Sequence, residues 1–323
     1  MGEVKIKKIN YRRAVGLNGT TPDLNFNLED LFKRAHDLVP NARKRELQDK
    51  TVHALTHICN KQGCLCGRLA LYEEGKKIPL IDMNDDGVVH EEIIEPKDSK
   101  GRPCNLREQE LFFAIRENHV TIMASRELTI NDFRDFLIWL IHTKARLEPK
   151  TIIELNNPPS KKAIEKLNES EITAFHVGGN LFKEDTTKSQ EVRAFKEIKM
   201  NPPLLACLET LLLGLGMGAD PVLKKLTEAE DPGKVYVGLN IKYMSRKKKD
   251  SQELMQALAN SFGKIEDLDT TINLKNKGKI SGDELSISDS RAILARDGIL
   301  STEDALSKLT DWLVQSIKSG IVL

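Results

Sequence analysis

The chain has 323 residues, 40% of them hydrophobic and 30% charged, and its 49 basic and 48 acidic residues leave a formal net charge of +1. That length accommodates two domains with cores of their own, and near-neutrality excludes a protein that coats nucleic acid over its whole surface, so any phosphate attraction must come from a local patch. No run of about 18 apolar residues occurs, which argues against a membrane-spanning helix. The charged start (Glu3, Lys5, Lys7, Lys8) predicts no signal peptide, and five cysteines without a paired framework predict a reducing compartment, the cytoplasm.

Val4 and Ile6 alternate with charged neighbours, predicting an edge strand that runs toward Tyr11. Asn27 then precedes Leu28, Leu31, Phe32 and Ala35 at helical spacing, with Glu29 and Asp30 in the first turn, which predicts a capped helix ending near Pro40. Residues 65–74 and 77–82 are apolar runs split by Glu74-Gly75-Lys76, a hairpin signal. A second hairpin is predicted where Glu117-Asn118 separates Leu111, Phe112, Phe113 and Ile115 from Val120, Ile122 and Ala124. Thr129 and Asp132 form a capping-box pattern ahead of Phe133, Phe136, Leu137, Leu140 and Ile141.

Composition shifts toward Lys, Arg and Glu over residues 145–160, which end in Asn156-Asn157-Pro158-Pro159. The domains are therefore expected at 1–148 and 149–323, with a short strand from Thr151 to Leu155 crossing between them. Beyond lie a predicted helix from Ser160, strands near 171–177 and 190–199, and an apolar helix after Pro202-Pro203. Val235, Val237, Leu239 and Ile241 alternate with polar residues or glycine as a strand, followed by a helix from Ser251 and a strand from Thr270 to Lys275. Ser301 caps a last helix through Leu306, Leu309, Leu313 and Ile317. Strands and helices alternate irregularly and nothing repeats, so the expected class is α+β, two domains with mixed or antiparallel sheets and packed helices.

Four clusters carry a chemical suggestion that their surroundings argue against. His53, His57, Cys59, Cys64 and Cys66 supply zinc-type ligands, with both histidines on one face if the segment is helical. The cysteines lack zinc-knuckle spacing, however, and Cys66 opens an apolar strand, so neither a metal nor a cofactor is expected. Asp82, Asn84, Asp86 and Gly87 match half of a calcium loop, but Ile93 stands where a bidentate Glu belongs. Gly214, Gly216 and Gly218 follow an apolar helix, whereas a phosphate cradle follows a strand, and His176 has no partner nucleophile. Asp185, Glu197 and Lys199 imitate the Asp…Glu-x-Lys arrangement of magnesium-dependent nucleases, a spacing common by chance in so charged a chain.

The fifth cluster is basic. Lys242, Arg246, Lys247, Lys248 and Lys249 join a predicted strand to a helix, and Lys275, Lys277 and Lys279 come off the next strand. Residues 233–280 hold ten Lys/Arg against five Asp/Glu, so the segment is locally positive in a neutral chain. Such strand-end loops reach a phosphate backbone without reading base edges; the alternative is a solubilising turn.

The stretches FFAIRENHVTIMAS, TINDFRDFLIWL, TIIEL and ITAFHVGGN, with VRAFKEIKMNPPLLACLETLLLGLGMGAD and VYVGLNIKYMSRKKKDSQELMQALANSF, resemble the RexA-like phage-exclusion family and, more loosely, the B component of Kiwa defence systems. The resemblance is one of pattern over about two-thirds of the chain, from about residue 110 onward, without a short diagnostic motif. It implies a cytoplasmic, homodimeric, non-enzymatic sensor that binds duplex DNA with little sequence preference and acts through a membrane protein encoded nearby. The expected DNA-facing residues are Lys242, Arg246, Lys247, Lys248, Lys249, Lys275 and Lys277. The alternatives are a magnesium-dependent nuclease effector using Asp185, Glu197 and Lys199, and a protein–protein adaptor that binds no nucleic acid.

Overall fold

The computed structural model describes residues 3–19, 21–47, 50–81, 91–148, 150–170, 172–180, 182–183, 199–200, 236–242, 269–275 and 278–322. Its elements begin with β1 (Glu3–Asn18), β2 (Thr21–Pro22), α1 (Leu28–Leu38), β3 (Lys44–Glu46), β4 (Thr51–Lys61) and β5 (Cys64–Glu73). β6 (Ile78–Ile81), β7 (Glu91–Ile94), β8 (Gln109–Arg116), β9 (His119–Met123), α2 (Ile130–Ile138) and β10 (Thr151–Asn156) follow. Then come α3 (Lys161–Glu169), β11 (Ile172–Asn180), β12 (Phe182–Lys183), β13 (Lys199–Met200), β14 (Tyr236–Lys242), β15 (Asp269–Leu274), β16 (Gly278–Ser281) and α4 (Gly282–Leu285). β17 (Ser288–Arg296), β18 (Ile299–Leu300) and α5 (Thr302–Lys318) close the chain. Each described strand pairing is antiparallel, and the fold is mixed α+β.

The chain divides into one compact unit of Met1–Pro158 with Ile287–Leu323 and a second of Pro159–Ser286. This differs from a cut at 148/149. β10 pairs with β1 from Arg13↔Asn156 to Asn18↔Thr151, and β17 pairs with it from Glu3↔Ala295 to Asn10↔Ser288. The first unit thus keeps β10 and recovers the end of the chain, a long-range pairing that local composition does not register.

The first unit is built on one sheet with the order β18-β17-β1-β9-β8-β5-β4-β3, to which β2 and β10 add by pairing with β1. β1 is therefore no edge strand. The sheet is covered on both faces, which explains why β8 reads as a continuous apolar run. Leu111, Phe113 and Ile115 enter a core with α1 and α2, while Phe112 and Ala114 enter another with α5. Phe113 has no exposed surface, its ring centroid lies 4.6 Å from that of Phe133, and burying such a side chain contributes about 1.5–3 kcal/mol. Gly67 is where its ring fits, because a Cβ there would stand 2.7 Å from Phe113 Cζ and 2.5 Å from the His57 carbonyl oxygen.

Four of the described helices, α1, α2, α3 and α5, begin where their caps predict. Asn27 accepts from the Asp30 amide at 3.1 Å, and Ser160 and Ser301 do the same for Ala163 and Asp304. Thr129 and Asp132 close a reciprocal capping box, which satisfies backbone donors that α2 would otherwise leave orphaned. The hairpin signal at Glu74-Gly75-Lys76 resolves differently. β5 pairs with β4 and β8, and β6 pairs with β7. The turn that sets β5 in register is Gln62-Gly63, whose φ angles of 54° and 75° are those of a two-residue hairpin twisted to match its strands.

Candidate nucleic-acid interface

In the second unit the strand order is β14-β11-β15-β16. β14 and β15 are both antiparallel to β11, so they run parallel to each other and finish at the same end of the sheet, beside the start of β11. Lys242, the last residue of β14, pairs with Ala174; Ala174 also pairs with Asn273, and Asn273 with Lys279. One cross-strand row therefore reads Lys242–Ala174–Asn273–Lys279, spanning about 14 Å at the usual strand spacing. Lys275 follows β15 directly and is exposed, as is Lys279. Gly278, at φ +76°, opens β16 in a conformation that only glycine adopts without strain. Ile272 and Ile280, both fully buried and directly paired, anchor the end of the sheet from which these lysines leave.

Among the expected DNA-facing residues, Lys242 and Lys275 thus come off one end of one sheet. Arg246, Lys247, Lys248, Lys249 and Lys277 lie outside the described residues, as do Asp185 and Glu197 of the nuclease pattern, whose third member Lys199 sits in β13. The half calcium loop from Asp82 to Gly87, the glycines 214, 216 and 218, most of the strand at 190–199 and the helices after Pro203 and from Ser251 also lie outside. His176 is in β11, paired with Asn240 and Thr271.

The zinc-type residues all fall in the first unit, on strands, so His53 and His57 do not share a helical face. A bulge between Leu55 and His57 shifts the alternation of β4. Leu55 and Ile58 consequently pack on the α1/α2 side, while Cys59 packs on the α5 side. His53 feels Asp132 and Asp135 of α2, whereas His57 acts on Glu303 of α5. The two imidazoles are thereby separated by the sheet. Among the described residues, no three His, Cys, Asp or Glu side chains converge on a metal position, and no helix is long and apolar enough to cross a membrane.

Two polar features of the first unit have no single-residue signature. Tyr11 Oη lies 2.7 Å from His119 Nδ1, and the Arg13 guanidinium lies 2.5 Å from His119 Nε2. The same Arg13 nitrogen lies 3.1 Å from Nδ1, so the guanidinium, which can only donate, faces both ring nitrogens. Burial, with the charges of Arg13 and Arg116, lowers the His119 pKa to about 4, so the ring is neutral near pH 7. The other feature follows from β9 stopping at Met123 while β1 runs on through residues 3–9. A cleft of about 240 Å³ opens there, lined among others by Lys5, Lys7, Arg107, Gln109, Glu110 and Ser125. Glu110 is ion-paired with Arg107 at 3.0 Å, and burial raises its carboxyl pKa. Both features arise from the pairing of β1 with distant strands; the alternation of β1 alone flags only that Lys5 and Lys7 share a face.

The chain matches no protein-family model and no curated protein.

Proposed function

We propose that this protein binds duplex DNA through its phosphate backbone, without reading base edges, by way of the basic strand-end loops of its second unit. The observation that carries the reading is the register in which β14 and β15 end together beside β11, so that Lys242 and Lys275 leave from one end of the sheet. Arg246, Lys247, Lys248 and Lys249 follow Lys242 within a few residues of sequence, and Lys277 follows Lys275, so the sequence adds positive charge after both strand ends. A row about 14 Å long between Lys242 and Lys279 is comparable with the ~12 Å width of a major groove, a scale on which phosphates of both strands come within reach of lysine side chains.

The wider setting is a homodimeric sensor of an anti-phage, abortive-infection type system in the cytoplasm, acting through a membrane protein encoded nearby. Its support is the resemblance of the chain, from about residue 110 onward, to the RexA-like family. Two copies would roughly double the electrostatic attraction and suit the two-fold symmetry of a duplex.

Gel-shift titration against salt tests the interface. Changing Arg246, Lys247, Lys248 and Lys249 together to Ala should flatten the logarithmic salt slope by up to about four units, roughly one for each phosphate no longer neutralised. An unchanged slope removes this loop from the interface.

A further inference from the structure

The thiols of the β4–β5 hairpin meet as a consequence of its turn. Gln62 and Gly63 both take positive φ, so Lys61 stands opposite Cys64, Asn60 opposite Leu65 and Cys59 opposite Cys66. A shift of one residue would send the two cysteines to opposite faces of the sheet. In this register the Cys59 and Cys66 sulfurs lie 3.4 Å apart, and Cys66 Sγ lies 3.4 Å from the Cys59 carbonyl oxygen, to which the thiol donates. Residues flanking a two-residue hairpin turn form a hydrogen-bonded pair, and the Cys59/Cys66 position is of the same type. Such pairs hold their Cα atoms about 5.5 Å apart, inside the range that a disulfide spans without moving the backbone.

The two sulfurs are not equivalent. Cys66 is fully buried beneath α5, whereas Cys59 is only partly covered. Burial, and then the contact with Cys59, raises the Cys66 pKa and holds it as a thiol. The Lys61 ammonium acts on both sulfurs from two residues beyond Cys59. Cys64 is also fully buried, its pKa pushed up to about 11, and it faces Lys61 rather than another cysteine.

We propose that Cys59 and Cys66 form a site of reversible thiol oxidation, in which a hydroperoxide oxidises Cys59 and Cys66 closes a cross-strand disulfide. In the first step the Cys59 sulfur attacks a peroxide oxygen, the O–O bond breaks, and the displaced oxygen leaves as water or alcohol with the Cys59 proton. Cys59 is then a sulfenic acid. In the second step the Cys66 sulfur attacks the Cys59 sulfur, the S–O bond breaks as the S–S bond forms, and water leaves carrying the hydroxyl and the Cys66 proton. Two thiols are oxidised and one peroxide is reduced, and an added dithiol reverses the change.

Sequence makes the product easy to read, because Lys61 lies between the two cysteines. The folded full-length chain is treated with hydrogen peroxide, its remaining thiols are alkylated, and it is cleaved after Lys and Arg. Residues 51–61, which contain Cys59 alone, should be recovered joined to residues 62–68 through Cys66, with two thiols lost per chain. Cys64→Ser should leave the joined product intact, and Cys66→Ser should leave Cys59 as a sulfenic acid that dimedone traps. Recovery of Cys59 fully alkylated after peroxide, or bridged to any other cysteine, would overturn the assignment. So would joining that occurs in denaturant but not in the folded chain.

Discussion

The two units handle charge in different ways. In the first, several ionisable groups that leave the surface are matched. Glu110 sits between Arg107 and Arg68, the Glu29 carboxylate accepts from Lys33 and from the Glu117 amide, and His119 is held neutral between Tyr11 and Arg13. In the described part of the second unit, cationic residues instead gather where strands end, with Lys275 and Lys279 exposed beside the row that begins at Lys242. Matched charge on a covered sheet specifies a fold, since an unpaired buried ion costs several kcal/mol. Cationic charge at a sheet end does little for stability and adds to the field that a polyanion meets. On the proposed reading, stability rests with one unit and recognition with the other, and each half of that reading can be broken separately.

The largest effect is expected from the end of the chain. Ending it at Leu300 removes α5, which carries Leu306, Leu309 and Leu313, all without exposed surface, and uncovers one face of the first unit's sheet. Circular dichroism of that truncated chain should show no cooperative melting of the first unit; a native-like transition would restore a division near residue 148. Phe113→Ala should come next, costing about 3–5 kcal/mol in urea unfolding, because the ring also stacks against Phe32 and Phe133. A cost below about 1 kcal/mol would mean that the site collapses around the vacancy and that this core is not closely packed.

Acid should act mainly through the first unit. The unfolded pKa of His119 is near 6.5 and its folded value about 4, so between these limits the unfolded chain holds a proton that the folded chain lacks. Its contribution is complete above about pH 6.5 and is lost as pH falls toward about 4, by up to about 3 kcal/mol. His53, also lowered by burial, contributes in the same direction. Urea midpoints for His119→Gln should therefore fall less steeply over this range than those of the parent chain, and equal slopes would contradict the neutral-imidazole reading. The smallest change belongs to the second unit. Lys275→Ala should leave the urea midpoint within about 0.5 kcal/mol while reducing the salt slope of DNA binding by about one unit. A shift in stability without a change in slope would reverse the assignment of roles.

What can be read from the sequence is local. Asn27, Thr129 and Ser301 announce helix starts because a capping side chain acts within three residues, and Glu117-Asn118 announces the β8–β9 hairpin because a turn is a local event. The alternation of β14 is equally plain, and it puts Lys242 at a strand end. The pairing partners are not legible. Val4 and Ile6 resemble the inward face of an edge strand, yet they are more than half exposed, while Lys5 and Lys7 border the cleft. β1 owes its place to β17, nearly the whole chain away, and no local pattern encodes that distance. His53 and His57 mislead for a related reason. Their spacing of four suits a helix, and the bulge that puts them on opposite faces of a strand is a property of the pairing with β5.

The discontinuous first unit also sets a timetable. A ribosome that has just released Pro158 has delivered α1, α2 and eight strands of the large sheet, but neither β17 nor α5, which lie beyond the whole of the second unit. At about 5–20 residues per second, the rest of the chain takes on the order of ten seconds or more to appear. Throughout that interval the face formed by Phe112, Ala114, Cys64 and Cys66 has no helix over it. Nascent chains of this protein should therefore depend on chaperone cover until α5 emerges, and that helix ends the dependence.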